Sequence, residues 1–404
     1  MRLEGSAVTG REPLLDYPWR NELDRLLEWL LYKDSHIKAF CFDVIMSAAY
    51  IDATSGIEKA IEQCQSIESD FNTHLGFINL CSPCHISKDT WTYQKAGKPQ
   101  SGALGKLSSE VILRFIEKLS PQIDEVVAFG GTDSADAALH HQSGMTILAE
   151  VKSAPLLTYP FLFNAPESCL KGVHEKLIIT NSQLRDCESA MYFHGVGIIK
   201  LGKVGGDLWP FKPLVDFFIY EKNESFINDC IEDWLLARDA YAKRDRQNRM
   251  YYLSNACGSP PKIAKDRDGW PKNETVSDGK TSAGMDRTDD IKKGIYQSIK
   301  IGTSLKDNAD VKTAIVSNLP AYRHGKEYVT PFIDMLWGVD KDLQEIDGRK
   351  VLYEDDLRRV FDFILTLEEP ILRNLNFFEE NKRCASSAVL RLLNCCILCN
   401  MLML

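Results

Sequence analysis

Between Gly130 and Ser153 the chain reads GGTDSADAALHHQSGMTILAEVKS, which sets two acids, Asp136 and Glu150, beside a lysine, Lys152. Two carboxylates suit Mg2+, a hard cation that takes oxygen ligands and keeps several of its waters. Such an ion can polarise a phosphodiester, lower the pKa of a bound water and stabilise a leaving oxygen. A lysine beside it is a compact point charge that can orient the water or offset charge growing on the phosphorus. The competing role is structural: an ion pair between Glu150 and Lys152 at a strand end, with Asp136 as a turn acid.

For the three groups to meet, the segment must fold as a hairpin. Asp136–His141 and Met145–Lys152 are predicted strands about the polar Gln142-Ser143-Gly144 turn. Side chains on a strand repeat with period two, so Glu150 and Lys152 share one face while Ile147, Ala149 and Val151 share the other. Pairing across the turn brings the start of the first strand to the end of the second. His140 and His141 are adjacent and face opposite ways, so at most one of them can join the site. Asp133 is a rival first acid. Asp136 is preferred because apolar Ala137, Ala138 and Leu139 continue from it as a strand, whereas Asp133 lies by the Gly130-Gly131 turn.

Upstream, residues 17–80 read mostly as helix, with amphipathic patterns over Arg20–Lys33 and Ser55–Phe71. Leu80–Gly105 reads as a loop-rich connector holding Cys81-Ser82-Pro83-Cys84-His85. Formally this is the haem-attachment pattern or half of a zinc site, but zinc would need further ligands such as Cys64 or His74. With only a half-motif in hand, the expectation is coincidence. Lys106–Leu119 is a predicted helix carrying Glu110, stopped by Ser120-Pro121, and Asp124–Phe129 is a strand leading into the hairpin.

Downstream, Lys176–Thr180, Ser182–Tyr192 and Gly195–Leu201 read as strand, helix and strand, and Leu214–Tyr220 as another strand. Glu224–Asn248 is a helix turning basic at its end, and Gly258–Gly284 has the composition of a mobile loop. Asp289–Ile301 is a helix with acids at its start, Lys312–Asn318 a buried strand, and Asp355–Leu367 an amphipathic helix. Either Lys176–Leu201 or Asp289–Asn318 could supply the block after the hairpin. The second is the better chemical match, because Lys292, Lys293 and Gln297 could face a phosphate; Pro155 to about Gly284 is then largely an insertion.

The chain has 404 residues, 44% hydrophobic and 26% charged, as in a globular protein with a real core. Its net charge of -9 excludes a basic nucleic-acid coat. Charge is uneven, however: from Arg238 to Lys300 there are 14 Lys and Arg against 9 Asp and Glu. A basic segment on an acidic protein points to a specific polyanion contact. Arg238, Lys243, Arg244, Arg246 and Arg249, with Lys292, Lys293 and Gln297, are the DNA-binding candidates, through phosphate contacts that do not depend on sequence. The N-terminal residues hold no apolar run of signal-peptide length, and Ala388–Leu404 is interrupted by Arg391, Asn394 and Asn400. The expectation is a cytoplasmic protein without membrane contact, its cysteines mostly reduced. No GxxxxGK[ST] motif is present, which argues for a self-contained enzyme rather than a motor-driven one.

The Gly130–Ser153 stretch resembles the PD-(D/E)xK nuclease motif, and the chain as a whole resembles a type II restriction endonuclease. Asp136 matches the first acid, Glu150 the variable acid and Lys152 the lysine, with Ala135 in place of the usual proline before the first acid. Glu110 stands where many members carry an additional carboxylate. The resemblance implies an α/β fold with a central mixed β-sheet flanked by helices. It also implies Mg2+-dependent hydrolysis of double-stranded DNA, a homodimer cutting both strands, and a cognate methyltransferase protecting self-DNA. The organisation expected is a helical N-terminal region over 1–100 and a nuclease core over 101–375. A DNA-recognition insertion lies around 205–288 within that core, and 376–404 form a tail of unknown role. The other readings are a repair or RNA/DNA-defence nuclease on the same fold, and a non-catalytic DNA-binding protein.

Overall fold

The computed structural model describes residues 10–53, 59–64, 66–67, 71–74, 77–97, 101–130, 135–165, 171–173, 176–179, 181–277, 283–304, 310–338, 342–351, 353 and 357–368. The first helix, α1 (Arg20–Leu30), buries Leu23, Leu26, Leu27 and Leu30 on one stripe. The second, α2 (Ser35–Ala53), is apolar almost all round and is buried from Lys38 to Ile51, so it runs through the interior. Two short strands follow, β1 (Lys59–Gln63) and β2 (Asn72–His74), then α3 (Ser82–Lys88) and the long α4 (Ser101–Leu119). Next come β3 (Ile123–Ala128), β4 (Ala137–His141), β5 (Thr146–Val151), β6 (Phe161–Phe163), β7 (Lys171–Val173), β8 (Lys176–Ile179) and α5 (Asn181–Leu184). The chain continues through β9 (Glu188–Phe193), β10 (Gly197–Lys203), α6 (Phe211–Ile219), α7 (Glu224–Lys243), α8 (Lys262–Arg267), α9 (Thr288–Ser304) and β11 (Val311–Ser317). It closes with α10 (Gly325–Tyr328), β12 (Leu336–Trp337), β13 (Gln344–Ile346), β14 (Arg349–Val351), β15 (Arg358–Arg359) and β16 (Phe363–Thr366).

These elements make an α/β protein with a mixed central sheet flanked by helices. The central sheet runs β16-β11-β5-β4-β3. The β3, β4 and β5 strands are antiparallel neighbours, while β5, β11 and β16 are parallel. Period-two alternation gives the sheet two apolar faces. Ala137, Leu139, Ile147, Ala149, Val151, Ala314 and Val316 join the main core with Val111 and Phe115 of α4. On the other face, Ala138 and Leu148 meet Ile301 of α9, and Ile315 and Ile364 meet Ile291 and Ile295 of the same helix. Gly294 lets α9 settle on Ile315: a Cβ at that position would stand 3.2 Å from its side chain. A second sheet, β10-β9-β6-β2-β1-β8-β7, is antiparallel throughout and was not foreseen from the sequence.

Several predicted elements change type. Within Ser55–Phe71, predicted as helix, Lys59–Gln63 is a strand paired with β2 and β8. Leu214–Tyr220, predicted as strand, lies largely in α6, because Phe211, Leu214, Val215 and Phe218 fall on one helical face and are all buried there. Of the helix predicted over Ser182–Tyr192 only Ser182–Leu184 is helical, in α5, and its second half, from Glu188, is instead β9, held between β6 and β10. Asp355–Leu367 supplies β16 rather than a helix: its apolar Phe363–Thr366 run pairs with β11, and Asp362 Oδ2 accepts the Thr313 amide at 2.8 Å. Gly258–Gly284 is not an open linker, since it carries α8 and buries Trp270 and Val276. The Leu80–Gly105 connector contains α3 and the start of α4. The boundary expected near residue 100 coincides with no separation of cores. Residues of α1, α2 and α4 share one core, and β1 and β2 belong to a sheet completed by later strands. Asp133 and the tail over 376–404 lie outside the described residues. Among those described, no helix is long and apolar enough to cross a membrane.

Candidate active site

The predicted hairpin forms as β4 and β5, with Ala137 opposite Ala149 and Gly144 taking positive φ in the turn. Asp136 sits one residue before β4 and extends its ladder, because its amide donates to Ala149 O at 2.9 Å and its carbonyl accepts from Phe129 N at 2.8 Å. Beyond that point, among the described residues, no strand pairs with this edge of β5, and Asp136 Oδ2 accepts the Val151 amide at 2.7 Å. The hydrogen bond fixes the first acid beside the end of β5.

Glu150 lies opposite Ile315 of β11, so it projects to the face covered by α9. Its carboxylate is buried and pairs with the Lys152 ammonium, which also donates to Val151 O at 3.2 Å. Burial raises the Glu150 pKa above its ordinary value, and the neighbouring Asp136 charge raises it further; Lys152 and Lys300 of α9 work against both. The ion pair required by a purely structural role is therefore present. Asp136, held by the Val151 amide, adds a second carboxylate whose charge acts on Glu150. Asp136 Oδ1 and Glu150 Oε2 carry no hydrogen bond or ion pair among the described residues.

The end of β5 is clamped by residues that sequence reasoning had not assigned to the site. The Asn318 side chain accepts from Ala154 N at 3.1 Å and donates to Ala154 O at 2.9 Å. Ser108 of α4 donates to Ser153 O at 2.9 Å. Asp43 of α2 accepts from Leu156 N and Leu157 N and from the Trp234 indole, tying the outgoing chain to α2 and α7. The available signal was a polar residue ending each apolar strand, Asn318 after β11 above all.

Glu110 is used otherwise. Its carboxylate pairs with Arg11 and accepts Leu14 N at 2.8 Å, fastening the N-terminal segment, whose Arg11 backbone bridges to Ala128 at the sheet edge. It does not form a compact three-acid cluster with Asp136 and Glu150. The two histidines sit at the far end of the hairpin, where His141 bonds Ser143 and Gln122 and His140 bonds Thr146.

The basic candidates divide. Arg238 is half-buried against Glu368 and Asp239, and Arg249 donates to Ile86 O at 3.0 Å on the α3 side. Lys243 and Arg246 are exposed, Lys243 lying 3.5 Å from Asp239. Arg244 reaches His324 Nε2 at 3.0 Å, and Lys292 stands 5.3 Å above the Tyr328 ring. These two therefore converge on α10, where exposed Lys326 adds a charge the sequence reading had not picked out. Lys293 is exposed on α9. Gln297 of the same helix is half-buried, and its Oε1 is buried with no hydrogen-bond donor among the described residues. Lys292 and Lys300 are eight residues apart on α9, about 12 Å at the helical rise, so one helix spans from the basic patch to the carboxylates. Comparison with protein-family models, curated proteins and solved structures gives no match to the chain in any of the three.

Proposed function

We propose that the protein is a Mg2+-dependent endodeoxyribonuclease of the PD-(D/E)xK kind, acting as a type II restriction endonuclease on double-stranded DNA. The observation that carries the reading is the juxtaposition at the end of β5: Asp136 fixed where its charge acts on Glu150, each with one oxygen unpartnered among the described residues, beside Lys152. Further support comes from a sheet in which an acid-bearing antiparallel hairpin is followed by a parallel strand preceded by a helix, the order that a restriction-endonuclease-like fold requires.

The donor set fits Mg2+, which binds through one or two carboxylates and retains waters. Asp136 Oδ1, Glu150 Oε2 and the Val151 carbonyl, already approached by the Lys152 ammonium, are the oxygens that would hold it. When bound, the ion supplies Lewis-acid polarisation of the phosphodiester and neutralises growing charge. The protein's own part is positional. Relieved of its ion pair to Glu150, the Lys152 ammonium can orient the attacking water and later balance charge on the phosphorus. Gln297 offers an amide to a phosphate or the water, and Arg244, Lys292, Lys293 and Lys326 hold the neighbouring backbone. Cutting both strands would require two copies, so the proposal includes a homodimer, a cognate methyltransferase and a cytoplasmic setting.

The test is incubation with Mg2+ and unmethylated plasmid or phage DNA, comparing Asp136→Ala and Lys152→Ala. Discrete bands lost in both variants are the expected result. A smear lost in both would point to a non-specific nuclease on the same fold. Tight DNA binding without cleavage would replace the proposal with a non-catalytic DNA-binding role.

A further inference from the structure

The Cys81-Ser82-Pro83-Cys84 pattern, expected to be coincidental, is joined in space by the cysteine that the sequence alone could not bring there. Cys64 follows β1 directly, Cys81 is the residue before α3, and Cys84 lies in the first turn of α3. Cys64 Sγ is 3.4 Å from both Cys81 Sγ and Cys84 Sγ, and all three sulfurs lie within 4.8 Å of one another. The three are buried and free of disulfides.

We infer that Cys64, Cys81 and Cys84 form a thiolate site for a thiophilic divalent metal, Zn2+ by preference. A tetrahedral zinc with bonds of about 2.3 Å sets its sulfur ligands roughly 3.8 Å apart. The observed spacing is near that value and well outside the 2.0–2.1 Å or so of a disulfide. The local backbone is built for it. Cys81 N donates to Thr92 O and Cys81 O accepts His85 N, so the turn carrying the pair is fixed from both sides. The Ser66 hydroxyl donates to Cys84 Sγ at 3.4 Å, the kind of outer hydrogen bond that orients a ligand sulfur. Among the described residues no fourth ligand atom joins the group, which leaves one tetrahedral position to water or another ligand; the His74 side chain lies outside those described. His85 is not part of the set, since its Nε2 rests on Arg249 O at 3.1 Å, a contact that also leaves it poorly placed as a haem ligand.

Binding converts three thiols to thiolates and passes their protons to solvent. The ion clips the β1 end of the second sheet to α3. Through the His85 and Arg249 contacts, the clip extends to the turn that follows α7. This site is independent of the Asp136–Lys152 chemistry and stands or falls separately from it.

The test uses the full chain purified without chelator or metal-affinity resin. Elemental analysis should find about one zinc per chain, released by a mercurial thiol reagent and read with a metallochromic dye. Cys64→Ser and Cys84→Ser should each lower the bound zinc roughly tenfold, while Cys257→Ser, a buried cysteine elsewhere, should leave it unchanged. Because serine variants can fail to fold, the native chain is also exchanged with Co2+. Thiolate-to-cobalt charge-transfer bands together with tetrahedral d–d bands are expected. Absence of stoichiometric metal together with no such spectrum, or a disulfide between any two of the three cysteines in native mass spectra, would overturn the assignment.

Discussion

At Glu150, burial and the Asp136 charge act in the same direction, and the consequence for stability has a definite sign. The native pKa is raised above 4.5, so the folded state binds the extra proton and this group's contribution to stability falls as pH rises through the interval above 4.5. Asp136→Asn keeps an oxygen for the Val151 amide and removes the repelling charge. It should abolish Mg2+-dependent cleavage while raising stability at pH 7, measured by urea unfolding. A loss of stability on this substitution would mean that Asp136 is there to hold the fold. Arg238 shows the opposite case among the basic candidates. Its guanidinium faces Glu368, a buried carboxylate that also accepts the Tyr322 hydroxyl, so Arg238→Ala should cost about 1–3 kcal/mol rather than weaken DNA binding selectively. Lys292→Ala, on exposed α9 surface, should leave stability nearly unchanged and lower the salt dependence of DNA binding by about one unit of slope. The basic run from Arg238 to Lys300 showed where charge is plentiful but could not show which charges were already paired inside the molecule.

Among the elements, those with strong local grammar were legible. The β4–β5 hairpin follows from alternation around a glycine turn, and α9 with β11 follows from an amphipathic run, acids at its start and a short buried strand. Short apolar runs were not. Leu214–Ile219 and Phe363–Thr366 are similar in composition, yet one lies in a helix pressed on α1 and the other in a strand beside β11. Only the partner decides, and periodicity over so few residues carries no information about partners. The second sheet was invisible for the same reason: β1, β2, β6, β7 and β8 are three to five residues long, and the β1–β8 and β2–β6 pairings that unite them cross large gaps in sequence. The site's three ionisable groups were legible by type and spacing, while its supports were not, because Asp43 and Asn318 act over 113 and 164 residues of separation. Asp43→Ala would strand two backbone amides and an indole N–H in the core. It should cost about 3 kcal/mol or more, seen as a lower urea midpoint with little change in the urea dependence of stability.

For the molecule as a whole, Asp43 and His194 carry large and opposite buried titrations, and Glu150 and Asp286, also raised by burial, add to the acid side. Burial lifts Asp43 from 3.8 to about 8, so its contribution is complete below pH 3.8 and is lost as pH rises towards 8. Burial lowers His194 from 6.5 to about 3, so its contribution is complete above pH 6.5 and is lost as pH falls towards 3. Between 3.8 and 6.5 the two slopes oppose each other; between 6.5 and 8 only the acid acts. Unfolding free energies from urea titrations should form a broad plateau on the acid side and decline above about pH 6.5. A stability that climbs steadily from pH 6.5 to 8 would contradict the environment assigned to Asp43.

The β5 and β11 strands lie side by side, yet Val151 and Val311 are separated by β6 to β10 and by α5 to α9. On a chain made from its N-terminus, the hairpin carrying Asp136, Glu150 and Lys152 emerges early and then waits. One edge of β5 stays bare until Val311–Ser317 arrives, and β11 in turn stays bare until Phe363–Thr366. Pairings of such long range form slowly and leave sticky edges exposed meanwhile. Synthesis order therefore acts as a delay line on the site: a ribosome-bound chain that stops short of α9 holds all three ionisable residues but lacks the helix and strand that set their face.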